Sequence, residues 1–132
     1  MSCADTRGKI LIADDDRDVV GMLEEFFAGK RYDVITAYDG RQTIDKLEKQ
    51  HPDILLLDLR MPEVDGEYIL KYIEEKGIDV SVIIITGYPE YIREKRLLER
   101  CYDYIIKPFS IDYLNTTVLT KIVLAFNNGG VN

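Results

Sequence analysis

The sequence predicts a single α/β domain, a doubly wound sheet of five parallel strands flanked by five helices. Two observations predict it: five short apolar runs recur along the chain, and an amphipathic stretch follows each of them. Runs that are apolar at every position are typical of parallel strands covered on both faces. Such strands, alternating with helices, require right-handed crossovers that place helices on both sides of one sheet. The runs occupy residues 10–13, 34–37, 54–57, 82–85 and 104–106.

The five predicted helices are marked by apolar residues that recur at helical spacing. Gly29 and Gly77 are expected to end the first and third helices, and Pro89 is expected to begin the fourth. We interpret His51, which precedes Pro52, as the cap at the end of the second helix. The apolar positions, in chain order, are Val19, Val20, Leu23, Phe26 and Phe27; Ile44 and Leu47; Ile69, Leu70 and Ile73; Tyr91 and Leu98; and Ile111, Leu114, Val118, Ile122 and Ala125.

The composition is that of an ordinary globular domain, with 132 residues of which 46% are hydrophobic and 31% are charged. A net charge of −7 argues against nonspecific binding of nucleic acid, so no direct nucleic-acid contact is expected. Neither a signal peptide nor a bilayer-length apolar run is recognisable, so we expect a cytoplasmic protein that does not contact a membrane. We expect an N-terminal tail over residues 1–8, the domain over 9–126, and a C-terminal tail or linker start over 127–132.

Chemically distinctive side chains follow four of the five predicted strands. Asp14 and Asp15 follow the first strand, Asp58 the third, Thr86 ends the fourth and Lys107 follows the fifth. Open α/β sheets bind ligands beyond the carboxyl ends of their strands, where the strand order reverses. If the strand order is 2-1-3-4-5, all these groups converge on one cleft.

This set of groups predicts a phosphoryl acceptor at Asp58. Three carboxylates in one cleft repel one another unless cations neutralise them, and Lys107 supplies only one positive charge. A hard divalent cation with oxygen ligands, such as Mg²⁺, is the natural second partner, held by Asp15 and Asp58. With charge drawn off the phosphoryl oxygens, the Asp58 carboxylate can attack phosphorus. Lys107 would then meet one phosphoryl oxygen, and Thr86 would donate a hydrogen bond to another.

Four motifs in this order resemble the receiver domain of bacterial two-component response regulators of the chemotaxis-regulator type. They are ILIADD at residues 10–15, LLDLRMP at 56–62 with DG at 65–66, ITG at 85–87 and YIIKPF at 104–109. The resemblance extends from about residue 9 to residue 125 and implies a flavodoxin-like sheet. It implies that Asp58 is phosphorylated, that Asp15 binds Mg²⁺ directly, and that Asp14 acts mostly through metal-bound water. The backbone carbonyl of Arg60 would complete the protein ligands.

The resemblance also implies how the signal reaches and leaves the site. Thr86 would move toward the phosphoryl group, Lys107 would pair with it, and Tyr104 would be the aromatic residue that swings inward on activation. The Lys107–Pro108 peptide bond would be cis. The phosphoryl donor would be a phosphohistidine on a sensor histidine kinase or a histidine phosphotransfer protein. The domain would not be an enzyme beyond gaining and losing its own phosphoryl group.

Two features depend on side chains that vary within this family. Arg60 and Tyr88 occupy positions that tune hydrolysis of the acyl phosphate, and their bulk predicts shielding from water and slower self-dephosphorylation. Arg100 and Cys101 stand where the family often has Gly-Ala, so the path into the fifth strand is expected to differ.

The fifth helix carries a second apolar stripe besides its core positions. Leu119, Val123 and Phe126 are spaced i, i+4, i+7 on an adjacent face. An exposed apolar stripe usually marks a contact, which predicts a homodimer or effector surface on this helix. The alternative is that the stripe packs a wide core.

Two other functions stay open from the residues. An aspartyl-phosphate hydrolase of the haloacid dehalogenase type requires a second acid two positions beyond the nucleophile, where this chain has Arg60. A pseudo-receiver that binds partners without being phosphorylated does not need the full set of acids, Thr86 and Lys107. A nucleotide-binding enzyme is disfavoured, because neither of the glycine-rich phosphate-binding motifs occurs.

Overall fold

The fold was obtained as a computed structural model, which describes residues 6–129. Its centre is a five-stranded sheet in the order β2-β1-β3-β4-β5, with every neighbouring pair parallel, which confirms the predicted fold class. Each strand contains its predicted apolar run and extends it by one or two residues, so Asp58 and Thr86 become the last residues of their strands. The strands are β1 (Lys9–Ala13), β2 (Asp33–Ala37), β3 (Ile54–Asp58), β4 (Ser81–Thr86) and β5 (Asp103–Ile106).

Helices cover both faces of the sheet and produce two separate cores. On one face the first and last helices pack against Ile12, Leu56 and Ile85. On the other face the second, third and fourth helices pack against Leu55 and Ile84, which alternate with the first set along the strands. The helices are α1 (Arg17–Gly29), α2 (Gly40–Gln50), α3 (Gly66–Lys76), α4 (Pro89–Glu94) and α5, which runs through Ile111–Tyr113, a π-helical turn at Leu114–Val118, and Leu119–Gly129.

Short polar side chains begin four of the five helices, α4 being the exception. Asp16 accepts hydrogen bonds from the N–H groups of the first turn of α1, and Asp39, Asp65 and Ser110 do the same for α2, α3 and α5. These caps satisfy N–H groups that have no partner within the helix. The predicted cap at His51 is confirmed: it ends α2 in the left-handed conformation, with φ of 51°.

The fourth helix is shorter than predicted, and its buried residues differ. It ends at Glu94 because Arg96 takes a left-handed conformation with φ of 55°, and a short 3₁₀ turn, Leu97–Glu99, follows. The break rotates the chain so that Leu97 faces the core, whereas Leu98, one of the two residues that marked the predicted helix, is 51% exposed. The predicted continuous helix through Leu98 is therefore wrong, although Pro89 begins α4 as expected.

The segment between α4 and β5 is fastened to α3 by Arg100. Its guanidinium forms two hydrogen bonds with the Glu74 carboxylate, at 3.1 and 3.2 Å. Arg100, which stands where the family often has glycine, thus forms a bidentate ion pair with Glu74 of α3. The ion pair ties the path into β5 to the end of α3.

The predicted exposed stripe on the last helix is wrong for two of its three residues. Phe126 stacks on Tyr32 with ring centroids 5.4 Å apart, and Leu119 packs against the first core. Only Val123 is exposed, at 36%. The helix therefore widens the core on this side, as the alternative proposed, and Tyr32, just before β2, covers Phe126.

The ends of the domain lie partly outside the described residues. The expected tails include residues 1–5 and 130–132, which the structure does not describe. The expected tail does make ordered contacts before β1, where the Arg7 N–H donates to the Arg31 carbonyl at 2.8 Å. Over residues 6–129, no helix is both long and apolar enough to cross a bilayer.

Gly66 allows α3 to approach the backbone that follows β3. A Cβ atom at this position would lie 2.5 Å from the Leu59 Cα and 2.7 Å from the Leu59 Cδ2. The Gly66 N–H donates to the Leu59 carbonyl at 3.0 Å, so the approach is part of a bonded turn. The absence of a side chain at Gly66 therefore positions the loop directly after Asp58.

We expect Gly66→Ala to lower the free energy of unfolding by about 1–3 kcal/mol, because the added methyl group overpacks a backbone contact. Urea unfolding followed by circular dichroism measures the change. Gly21→Ala is the matched control, since a Cβ there meets no atom within 4 Å in the middle of α1. That substitution should raise the free energy of unfolding by about 0.5–1 kcal/mol, through the better helix propensity of alanine. A Gly66→Ala protein as stable as the wild type would contradict the close approach.

Candidate functional site

The carboxyl edge of the sheet brings together the acids that follow β1 and β3. Asp14 and Asp15 come directly after β1, and Asp58 ends the adjacent β3. One carboxylate oxygen from each of the three lies within 4.8 Å of the others. Parallel strands end at the same edge, so the strand order alone accounts for this convergence.

Asp14 is the most buried acid of the site. Its side chain is fully buried, and its Oδ1 accepts a hydrogen bond from the Asp16 N–H at 3.0 Å. Its Oδ2 lies 2.9 Å from the Lys107 Nζ, an ion-pair distance, but makes no hydrogen bond of good geometry. Burial raises the pKa of Asp14 above its ordinary value, and the Asp16 N–H and the Lys107 ammonium group oppose that rise.

Lys107 closes the site from the β5 side. Its Nζ donates a hydrogen bond to the Asp58 Oδ2 at 3.2 Å, besides its ion pair with Asp14. Burial by itself would lower the pKa of Lys107, but the carboxylates of Asp14 and Asp58 outweigh burial, so the pKa is raised. The Lys107 N–H donates to the Thr86 carbonyl at 2.8 Å, and the Lys107–Pro108 bond is cis, as the family resemblance implied. Lys107 is therefore held as an ammonium group against two carboxylates.

Asp58 lies at the base of a cleft of about 650 Å³. Only 11% of its side chain is exposed, and its Oδ1 accepts a hydrogen bond from the Arg60 N–H at 2.9 Å. Both oxygens of Asp58 thus have a donor, one from the loop after β3 and one from Lys107. Asp15 and Asp16 also line this cleft, so three acidic residues border the same open space.

Thr86 contributes a hydroxyl group from the end of β4. Its side chain is largely buried, and its Oγ1 accepts a hydrogen bond from the Tyr88 N–H at 2.9 Å. Because Oγ1 acts as the acceptor in this bond, the hydroxyl hydrogen can be donated to a group in the cleft. Thr86 also lines the cleft beside Asp58, as the neighbouring strand ends require.

A cation and two tyrosines also line the cleft. The Arg60 guanidinium lies over the Tyr88 ring, 4.7 Å from its centroid, and both line the cleft. Tyr91 also lines it, and its hydroxyl forms a hydrogen bond with the Glu67 carboxylate of α3. This bond raises the pKa of the Tyr91 hydroxyl. The sequence marked Tyr91 only as a helix position, and no local pattern pointed to its partner Glu67, 24 residues away.

Tyr104 lies on the edge strand β5 and is half-buried against the second core. The Lys121 ammonium group lies 5.0 Å from the centroid of its ring. The same Nζ donates to the Tyr104 carbonyl at 2.6 Å and to the Asp103 Oδ1 at 3.2 Å. Sequence reasoning did not single out Lys121, because its three contacts depend on how α5 packs beside β5.

The donor set fits a hard divalent cation. Carboxylate oxygens are the ligands that Mg²⁺ prefers, and three carboxylates converge here. The Asp14 Oδ2 is a buried acceptor without a hydrogen bond, which is the kind of atom that a cation or its bound water satisfies. Three carboxylates against one ammonium group also leave a negative site, which a cation would stabilise.

The chain was compared with known proteins. It matches the family model of the response regulator receiver domain over residues 10–119. It is 36% identical over 121 residues to sporulation initiation phosphotransferase F of Bacillus subtilis, covering 90% of this chain and 97% of that protein. It is 39% identical over 118 residues to the regulatory protein AtoC of Escherichia coli, covering 88% of this chain. The chain spans only 25% of AtoC.

A solved structure of similar fold contains ligands in its crystal. The response regulator protein TrrA from Thermotoga maritima, in complex with Mg²⁺ and BeF, has a TM-score of 0.74 at 26% identity. The similarity covers 86% of this chain and 98% of TrrA. The family match over most of the chain, together with the acids, hydroxyl and lysine at the ends of the strands, shows that this protein belongs to the receiver domains of two-component response regulators.

Proposed function

We propose that this domain is a phosphorylation-dependent signalling switch that accepts a phosphoryl group on Asp58. The observation that carries the proposal is the geometry of Lys107, whose ammonium group lies 2.9 Å from Asp14 and 3.2 Å from Asp58 at the base of an open cleft. The donor would be a phosphohistidine on a sensor histidine kinase or a histidine phosphotransfer protein. The name of the Bacillus relative, a phosphotransferase, supports this class of partner.

Mg²⁺ is the proposed cofactor. Asp15 and Asp58 would bind it directly, Asp14 would act through metal-bound water, and the backbone carbonyl of Arg60 would complete the protein ligands. The three converging carboxylates and the buried Asp14 Oδ2 support this assignment. When bound, the ion would supply positive charge against the oxygens of the transferred group.

The chain's own residues account for the transfer step. An oxygen of Asp58 would attack phosphorus, the bond between phosphorus and the donor's histidine nitrogen would break, and its electron pair would stay on the imidazole. Lys107 would exchange its hydrogen bond with Asp58 for one with a phosphoryl oxygen. Thr86 would donate its hydroxyl hydrogen to another phosphoryl oxygen. Both groups line the cleft with Asp58, which supports these roles.

The switch would act through the elements that follow β4. A movement of Thr86 toward the phosphoryl group would strain or break its hydrogen bond with the Tyr88 N–H, directly before α4. Tyr104 on the neighbouring strand would then turn inward, and the change would pass to the face formed by α4, β5 and α5. The short α4 and the left-handed Arg96 support a rearrangement here, because little regular helix would have to be disrupted.

A hydrolase with an aspartyl-phosphate intermediate receives less support. The position two beyond Asp58 would have to supply a general acid, whereas Arg60 is a cation that stacks on Tyr88. The same pair supports a long-lived acyl phosphate, because both side chains are exposed and line the cleft through which water would reach Asp58.

We expect incubation of the protein with acetyl phosphate and Mg²⁺ to add one phosphate, detected by intact mass. Asp58→Asn should abolish the addition, because an amide does not form the acyl phosphate. Asp45→Asn is the matched control, since it neutralises an exposed acid on α2 that pairs with Lys49. It should be phosphorylated like the wild type. Phosphate retained by the Asp58→Asn protein would disprove the assignment of the acceptor.

The double variant Arg60→Ala, Tyr88→Ala should lose its phosphoryl group faster than the wild type. A cation stacked on an aromatic ring at an exposed site contributes about 0.5–1 kcal/mol, so opening this pair should shorten the lifetime about two- to five-fold. The loss of phosphate from the isolated protein is followed by intact mass after the donor is removed. Lys49→Ala removes an exposed positive charge from α2 and should leave the lifetime unchanged. An unchanged lifetime in the double variant would refute the shielding role.

A further inference from the structure

A hydrogen bond between two side chains bridges the first turns of α3 and α4. Glu67 lies in the first turn of α3, and its carboxylate accepts from the hydroxyl of Tyr91 in the first turn of α4. These helices follow the loops that leave β3 and β4, whose last residues are Asp58 and Thr86. Residues of both loops line the cleft, and Tyr91 lines it as well. The bridge therefore connects the two loops that border the acceptor site.

The start of α4 has no side-chain cap of its own. Its N-cap residue is Tyr88, whose side chain forms no capping hydrogen bond. The Tyr91 N–H donates to the Tyr88 carbonyl at 3.0 Å, so Tyr91 is bonded directly to the residue before the helix. Ile92 anchors the same turn in the second core, and Glu67 holds it through Tyr91. The placement of Tyr88 thus depends on a turn that the bridge to α3 helps to fix.

The Tyr88 ring in turn lies under the Arg60 guanidinium, 4.7 Å from ring centroid to Cζ. The Tyr88 side chain is 53% exposed and packs in neither core, so its position follows from the backbone at the start of α4. The bond to Glu67 raises the pKa of the Tyr91 hydroxyl, and the Arg60 guanidinium opposes that rise. The Arg60 charge therefore lies near both tyrosines, and all three side chains line the cleft with Asp58.

We propose that Tyr91 is a positioning residue that, through its bond to Glu67, holds the Arg60–Tyr88 pair in place and so lengthens the lifetime of the phosphoryl group on Asp58. The inference rests on the proposed function, including the shielding of the acyl phosphate by that pair. Tyr91 acts through the pair, so losing its hydroxyl is expected to shorten the lifetime no more than losing the pair does.

The test measures the lifetime of the phosphoryl group. The full chain is phosphorylated with acetyl phosphate and Mg²⁺, the donor is removed, and the loss of phosphate is followed by intact mass. Tyr91→Phe keeps the ring but removes the bond to Glu67, and should shorten the lifetime about two-fold, within the range expected for loss of the pair. Glu67→Ala removes the bond from the other side and should have the same effect, which provides a second variant if Tyr91→Phe does not fold.

Two variants separate positioning from a general structural role. Glu67→Gln keeps an oxygen that accepts from the Tyr91 hydroxyl, so it should retain the wild-type lifetime. Tyr72→Phe removes a bond of the same chemistry, between the Tyr72 hydroxyl of α3 and the Glu48 carboxylate of α2. Neither Tyr72 nor Glu48 lines the cleft, so this variant should also keep the wild-type lifetime.

A further comparison shows whether Tyr91 acts through the pair. In the Arg60→Ala, Tyr88→Ala background, Tyr91→Phe should have no further effect on the lifetime, because the two side chains that it positions are gone. In the wild-type background the same substitution should retain its full effect.

Shorter lifetimes in Tyr91→Phe and Glu67→Ala that vanish in the Arg60→Ala, Tyr88→Ala background support the proposal, whatever the effect on the free energy of unfolding. Wild-type lifetimes in both variants, or the same shortening when the pair is absent, overturn it while leaving phosphoryl acceptance at Asp58 intact. A wild-type protein that takes up no phosphate overturns the proposed function and this inference together.

Discussion

Mutual repulsion of three carboxylates is the constraint on which the site depends. Asp14, Asp15 and Asp58 lie within ion-binding distance of one another, and one of them is fully buried. Lys107 offsets one negative charge, which leaves two when all three acids are ionised. A divalent cation offsets the same number, so the charge balance and the oxygen donor set point independently to one kind of ion. A phosphoryl group that brings further negative charge could approach such a site only with cations in place.

The fold places these charges by ending strands, not by long loops. Asp58 and Thr86 are the last residues of β3 and β4, and Asp14 follows β1 directly. The preceding residues of these strands are buried between the two cores, so the polar side chains emerge from a rigid base. Gly66 adds a second restraint by bringing α3 onto the backbone after Asp58. Rigid placement is what a phosphoryl acceptor needs, because the attacking oxygen and the charged partners must be aligned before reaction.

The strands and the convergence of the acids could be predicted from the sequence because both follow from local patterns. Apolar runs mark buried strands, and the ends of parallel strands meet at one edge. The length of α4 could not be predicted in this way, since its end depends on the left-handed conformation of Arg96. The burial of Phe126 depends on a ring of Tyr32, 94 positions earlier in the chain. Periodicity shows that a helix has a second apolar face, but not which distant residues cover that face.

The segment between β4 and β5 is held to the rest of the domain differently from the strands. Three polar contacts connect residues 88–100 to the neighbouring elements. The Arg60 guanidinium stacks on the Tyr88 ring, the Tyr91 hydroxyl bonds to Glu67, and Arg100 pairs with Glu74. Polar and partly exposed contacts of this kind contribute little free energy each, whereas the strands beneath are buried on both faces. Ile92 and Leu97 anchor the same segment in the second core, so a rearrangement there would have to keep or replace these buried apolar contacts while the polar ones are exchanged.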